Sequence, residues 1–201
     1  MTNQSPNHPE IEPLTRNQVL VVMGVTAVVL LIAAKIWQYF GSVSLLPFYF
    51  NTNSVLIALS LALIIPTISS LVYRLWPAYR ESADFYLELV LKPLEWQDII
   101  WLGLLPGLSE ELLFRGVMLP ALGEDIAAVV ISSICFGVLH FSGSQQWPYV
   151  VWASFVGAIL GMSAVLTGNL LVPVLAHIIT NLISSCLWKL SNPIESNSSS
   201  S

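Results

Sequence analysis

Apolar residues arrive in long runs broken by short polar or proline-containing stretches, and six of these runs approach the roughly 20 residues that a bilayer core requires of a helix. They cover about 19–37, 55–76, 99–122, 125–141, 149–167 and 170–189. The spacing predicts an all-α, polytopic transmembrane helical bundle with about six spans. The first run is the most purely apolar. The polar region before it is long and poorly basic, which favours an uncleaved helix over a secretory signal. Between the second and third runs lies the one substantial polar linker, Pro77 to Gln97. It interleaves Arg80, Glu81, Asp84, Glu88, Lys92 and Glu95 with Phe85, Tyr86, Leu87, Leu89, Val90 and Leu91. That mixture predicts an interfacial helix lying on the membrane surface, read as an amphipathic connector.

Four segments follow from this pattern. Residues 1–16, with Pro6, Pro9 and Pro13, read as a disordered polar tail. Residues 17–98 form an N-terminal membrane region with its interfacial linker. Residues 99–190 hold the chemistry, and residues 191–201 end in a disordered serine run. Composition agrees with a membrane protein. The chain is 55% hydrophobic and 9% charged, against roughly 25% charged residues in soluble domains. The net charge of −5 is mild and the basic residues are scattered, which gives nucleic acid no footprint. Cys135 and Cys186 are isolated in apolar runs and read as small core residues. With six spans, Arg16, Arg74, Arg80, Lys92 and Lys189 collect on one side and Lys35 alone on the other, so both termini are predicted to be cytoplasmic.

Ionisable groups inside the apolar runs are the candidates for chemistry. Each costs between about 2.5 and more than 10 kcal/mol at membrane depth, so such groups face a protein interior and mark function. The third run carries Glu110, Glu111 and Arg115. Glu111 and Arg115 are four apart, share a helix face and can pair. Glu110 points about 100° away and is left free to face a cavity and take a proton from water. Pro106-Gly107 predicts a helix break that leaves residues 99–105 as a separate half-helix and puts Glu110 in a first turn, where free N–H groups favour a carboxylate. Phe136 and His140 are four apart in the fourth run, and His177 and Asn181 are four apart in the sixth; the third histidine, His8, lies in the polar tail. Ser132, Ser133, Gly137, Gly157, Ala158 and Gly161 would allow close helix approach. Taken alone, a histidine or an asparagine in such a run is an ordinary packing residue. Together with the two glutamates they make a hydrolytic constellation.

Three motifs therefore stand in order: E-E-x-x-x-R at Glu110, Glu111 and Arg115, F-x-x-x-H at Phe136 and His140, and H-x-x-x-N at His177 and Asn181. Their order and spacing, with the flanking SEELLFRG, resemble the CAAX-processing and bacteriocin-processing intramembrane proteases, the type II CAAX prenyl endopeptidase family. The resemblance covers about 99–189. It implies an intramembrane endopeptidase in which Glu110 and His140 activate water, His177 and Asn181 stabilise the oxyanion, and Glu111 and Arg115 support the helix. It implies a protein or peptide substrate at the lipid bilayer. Glu110, His140 and His177 are also a His–His–Glu set that suits Zn2+. No H-E-x-x-H pair occurs, however, and His177 and Asn181 are committed to the oxyanion, so a reaction without a metal cofactor is favoured. The alternatives are a non-enzymatic membrane scaffold or bacteriocin-immunity protein of the same fold, and a transporter using the acids and histidines as a proton relay. The transporter lacks the paired broken helices often seen in such proteins.

Overall fold

The computed structural model describes residues 14–192. Residues 1–13 and 193–201, which include His8 and most of the two expected tails, lie outside the described residues. Thr15 is the N-cap of the first helix. Its hydroxyl accepts from the backbone N–H of Gln18 (3.3 Å), while Gln18 Oε1 accepts from the N–H of Thr15 (2.8 Å). This reciprocal cap satisfies donors at the start of α1 (Arg16–Phe40). Asn51 caps α2 (Thr52–Leu75) in the simpler way, its side chain accepting from Ser54 N–H at 2.8 Å.

The linker forms α3 (Pro77–Leu91), followed by a single 3₁₀ turn at Trp96–Asp98. α4 (Ile99–Glu111) then runs on without interruption through a π-helical segment, Leu112–Met118, and a last turn, α5 (Leu119–Leu122). The expected break at Pro106-Gly107 is absent. α4 continues through Pro106, and Ser109 Oγ donates to the carbonyl oxygen of Leu105 at 2.7 Å. Prolines are tolerated in bundle helices where neighbouring groups re-satisfy the freed backbone. Glu110 therefore sits near the end of α4, and the irregularity comes directly after Glu111. Asp125 caps α6 (Ile126–Leu139), its side chain accepting from Ala128 N–H at 2.8 Å. α7 (Trp147–Thr167) ends at Gly168, whose φ of +57° is a left-handed turn that glycine adopts freely, and α8 (Leu171–Ser191) completes the chain.

The described residues are all helix and connecting loop, as the apolar pattern predicts. Four helical stretches are long and apolar enough to cross a membrane: α1, α2, α7 with its leading turn, and α8. α6, with 14 residues, is apolar but shorter. The rod from Ile99 to Leu122 is divided by its π segment and carries three ionisable groups.

α8 is central. It packs on α2, α4 and α7, while α1 lies against α4 and the π segment, and α6 pairs with α7. Small residues set these distances. A Cβ on Gly103 or Gly107 of α4 would stand 2.7 Å from Leu182 or 2.5 Å from Ile178 of α8. One on Gly137 of α6 would stand 2.7 Å from the Val150 carbonyl of α7. Backbones this close gain dispersion contacts that lipid tails cannot provide.

Polar fasteners act at both ends. At one, the loop between α1 and α2 tucks inward: Leu46 N–H donates to the Gly116 carbonyl in the π segment (3.0 Å), and Leu170 N–H to that of Pro47 (2.8 Å). At the other, Arg16 grips Asp98 through Nε (2.7 Å) and Nη2 (2.9 Å) and reaches Glu95 (2.9 Å). Lys189, near the end of α8, donates there to the Leu94 carbonyl. The start of α1 and the end of α8 thus lie at the same end of the bundle.

Candidate active site

The centre of the bundle holds charge that lipid would not tolerate. Glu111 and Arg115 are both fully buried, at 0% exposure. Breaking such a pair strands a bare charge, so each partner needs the other and further polar contacts besides. Arg115 Nη1 donates to Glu111 Oε1 (2.8 Å) and Nη2 to the Gly157 carbonyl of α7 (2.7 Å). The guanidinium also lies 4.5 Å from the centre of the Phe136 ring, a cation–π contact with α6. Gly157 makes room for this, since a Cβ there would stand 3.2 Å from Arg115 Nη2 and 3.1 Å from Phe136.

The pairing read from the i, i+4 spacing is therefore present, but Glu111 does more than hold Arg115. The same Oε1 atom lies 2.8 Å from His177 Nδ1 on α8. A carboxylate only accepts, so Nδ1 carries the proton. A neutral His177 then offers an unprotonated Nε2; to donate from both nitrogens it must be an imidazolium, with Glu111 as its counter-charge. Asn181, half-buried, follows one turn later on the same face of α8.

His140 closes α6. It follows the last helical residue and is half-buried, with its Nδ1 2.9 Å from the Phe136 carbonyl oxygen. That oxygen is also an acceptor, so the free Nε2 of neutral His140 can take a proton. Phe136 stands between the two histidines, its ring centre 5.0 Å from that of His140 and 5.7 Å from that of His177.

Glu110 is the odd member. It is buried, and among the described residues its Oε2, like that of Glu111, has no hydrogen-bond partner, but unlike Glu111 it makes no ion pair. Buried carboxylate oxygens left unpaired are costly and rare in ordinary packing. Glu110 acts electrostatically on Tyr86 of α3. Burial pushes the Tyr86 phenol well above its ordinary value of 10, and the Glu110 charge adds to the push.

Two residues near His140 were not singled out from sequence. Tyr86 and Tyr149 stack at 4.4 Å, with their ring centres 6.2 and 6.1 Å from that of His140. They come from α3 and α7, and nothing in the linear pattern distinguishes them from interfacial aromatics. Among the described residues no three His, Cys, Asp or Glu side chains come together closely enough to hold a metal ion. Glu110, His140 and His177 as arranged do not fit a zinc set, and no step below is routed through a metal.

Fold and site define an integral membrane protein, a helical bundle built around a buried acid–base cluster. Residues 92–183 match the type II CAAX prenyl endopeptidase Rce1-like family, and all seven motif residues lie within that segment. The chain is also similar to the uncharacterized protein YpbD of Bacillus subtilis (strain 168), at 35% identity over 88 residues. That match covers 44% of this chain and 44% of YpbD, so the chain spans less than half of that relative's length. No solved structure matches the chain.

Proposed function

We propose that this protein is an intramembrane endopeptidase that hydrolyses a peptide bond in a membrane-associated protein or peptide. The observation that carries this reading is Glu110: a buried carboxylate with an unpartnered oxygen that, unlike Glu111, makes no ion pair among the described residues, on the same helix as the Glu111 carboxylate that holds His177. Glu110, aided by His140 Nε2, takes a proton from water as the water oxygen attacks the carbonyl carbon. His177, as an imidazolium paired with Glu111, and Asn181 donate to the oxyanion of the tetrahedral intermediate. Donors of this kind are worth about 3–4 kcal/mol of barrier. The C–N bond then breaks, and the proton held by the acid–base pair passes to the leaving amine. Glu111, Arg115 and Phe136 hold the imidazoles in place. This chemistry belongs to residues 99–190, with no bound cofactor.

Membrane-proximal peptides presented to the protein in proteoliposomes test the reading. Wild type is expected to cleave, and Glu110→Ala and His140→Ala to be inactive. Cleavage that survives in both variants overturns it. Activity lost on chelation and recovered with zinc would overturn the metal-free form of the reaction while leaving the peptidase intact.

A further inference from the structure

We propose that Tyr86, supplied by α3 from outside the family-matched segment, is a positioning residue for His140. The inference rests on the peptidase reading for its kinetic consequence, but the geometry stands alone.

His140 needs holding. It sits just past the end of α6, where the helical hydrogen-bond ladder runs out, and its ring is tied by one hydrogen bond to the Phe136 carbonyl. Three aromatic rings from three elements restrict it: Phe136 of α6 at 5.0 Å, Tyr149 of α7 at 6.1 Å and Tyr86 of α3 at 6.2 Å. Phe136 and Tyr149 belong to residues 92–183; Tyr86 does not.

α3 is fastened so that Tyr86 can serve. Ser82, one turn earlier, is buried and its hydroxyl donates to the buried Gln146 Oε1 at 2.7 Å. Ser82 Oγ in turn accepts from Tyr149 N–H at 3.3 Å, so one serine ties α3 to the residue that Tyr86 stacks on. Tyr79, two turns before Tyr86, stacks on Tyr149 with the planes 9° apart and packs against Trp152 at 5.6 Å. A connector that merely joined two spans would not need a buried side-chain hydrogen bond and a three-tyrosine stack to seat it.

The chain has three histidines, so ring signals of histidine-labelled protein in detergent micelles can be assigned by substitution. Tyr86→Phe keeps the ring and is expected to leave the His140 signals and the cleavage rate as in wild type. Tyr86→Leu keeps most of the bulk and removes the ring. It is expected to move the His140 signals and to lower kcat by about tenfold or more with KM little changed. Ser82→Ala unfastens α3 without touching a ring and is expected to move the same signals, which keeps the test open should Tyr86→Leu fold poorly. Unmoved His140 signals in Tyr86→Leu and Ser82→Ala overturn the proposal. So does a raised KM at unchanged kcat, which would make Tyr86 a substrate contact. If wild type cleaves nothing, the peptidase reading falls, while the ring signals still decide whether Tyr86 positions His140.

Discussion

Two adjacent glutamates divide their labour through burial and partners. Glu111 is fully buried and its Oε1 is shared by Arg115 and His177, whereas Glu110 makes no ion pair among the described residues; Oε2 of each is buried without a partner. Glu110→Gln preserves shape and removes the base. We expect kcat to drop at least about a hundredfold, with the melting temperature in detergent unchanged. Near-normal turnover would reassign the base. Arg115→Ala behaves differently, because it leaves the fully buried Glu111 without its permanently charged partner. Losing one partner of a buried pair costs about 3–5 kcal/mol, so melting and yield should fall together with activity; unchanged melting would contradict this. Contacts four residues apart were legible in the chain, since helical spacing alone places Arg115 over Glu111. The bond from Glu111 to His177 and the one from Arg115 to Gly157 were not. They join residues 66 and 42 positions apart, and no local periodicity encodes which helix faces which.

Among elements, the runs of apolar residues announced the helices well, and Thr15, Asn51 and Asp125 are capping residues of ordinary kind. The run from Ile99 to Leu122 was misread in one respect. Pro106 was given the power to end a helix, yet the bundle accommodates it, and the departure from α geometry falls instead at Leu112–Met118. A π segment leaves no mark in the hydropathy pattern, because every residue in it is as apolar as its neighbours except Arg115. The contact between the start of α1 and the turn before α4 carries a pH prediction. Hydrogen bonds from Arg16 hold the Asp98 carboxyl below its ordinary 3.8. A carboxylate with a lowered value in the folded state contributes fully above 3.8, and that contribution disappears as pH falls through the folded value. Melting of wild type should therefore decline between about pH 5 and about pH 3 by more than that of Asp98→Asn. Parallel curves for the two proteins would remove this contact from the stability of the bundle.

Across the whole molecule, the regions that sequence separated are packed as one. α1 and α2, which carry no motif, lie against α4 and α8, and residues Leu30 and Ala34 of α1 share a core cluster with Phe114 and Phe136. The linker, read as a connector, is the element whose Tyr86 reaches His140. Its amphipathic pattern was legible, but the target of its aromatic face was not, since α7 that receives it lies more than fifty residues further along. Arg16 and Lys189 gather at one end with Asp98 and Leu94, and the excess of basic residues on that side predicts that both termini face the cytoplasm. Reporter tags fused to each terminus should both be shielded from a membrane-impermeant label applied outside intact cells. Labelling of either tag would reverse or split the assignment.

The π segment has a consequence for insertion and deletion. In a regular α-helix each residue advances the chain by about 100°, so a wider turn is equivalent to one extra residue threaded into the rod. Deleting Leu112 would let the hydrogen bonds fall back into the commoner register, making the helix itself more regular. Because residue and wide turn go together, that deletion leaves the two flanks in phase, whereas closing the turn with every residue kept would turn everything before it by about 100° relative to everything after it. Gly103 and Gly107 could then meet α8, or Val117 and Leu119 could meet the core, but not both at once. A helix made regular with every residue kept is expected to give a less stable protein. The added residue is thus the phase shift that keeps two faces of one rod in register with different neighbours.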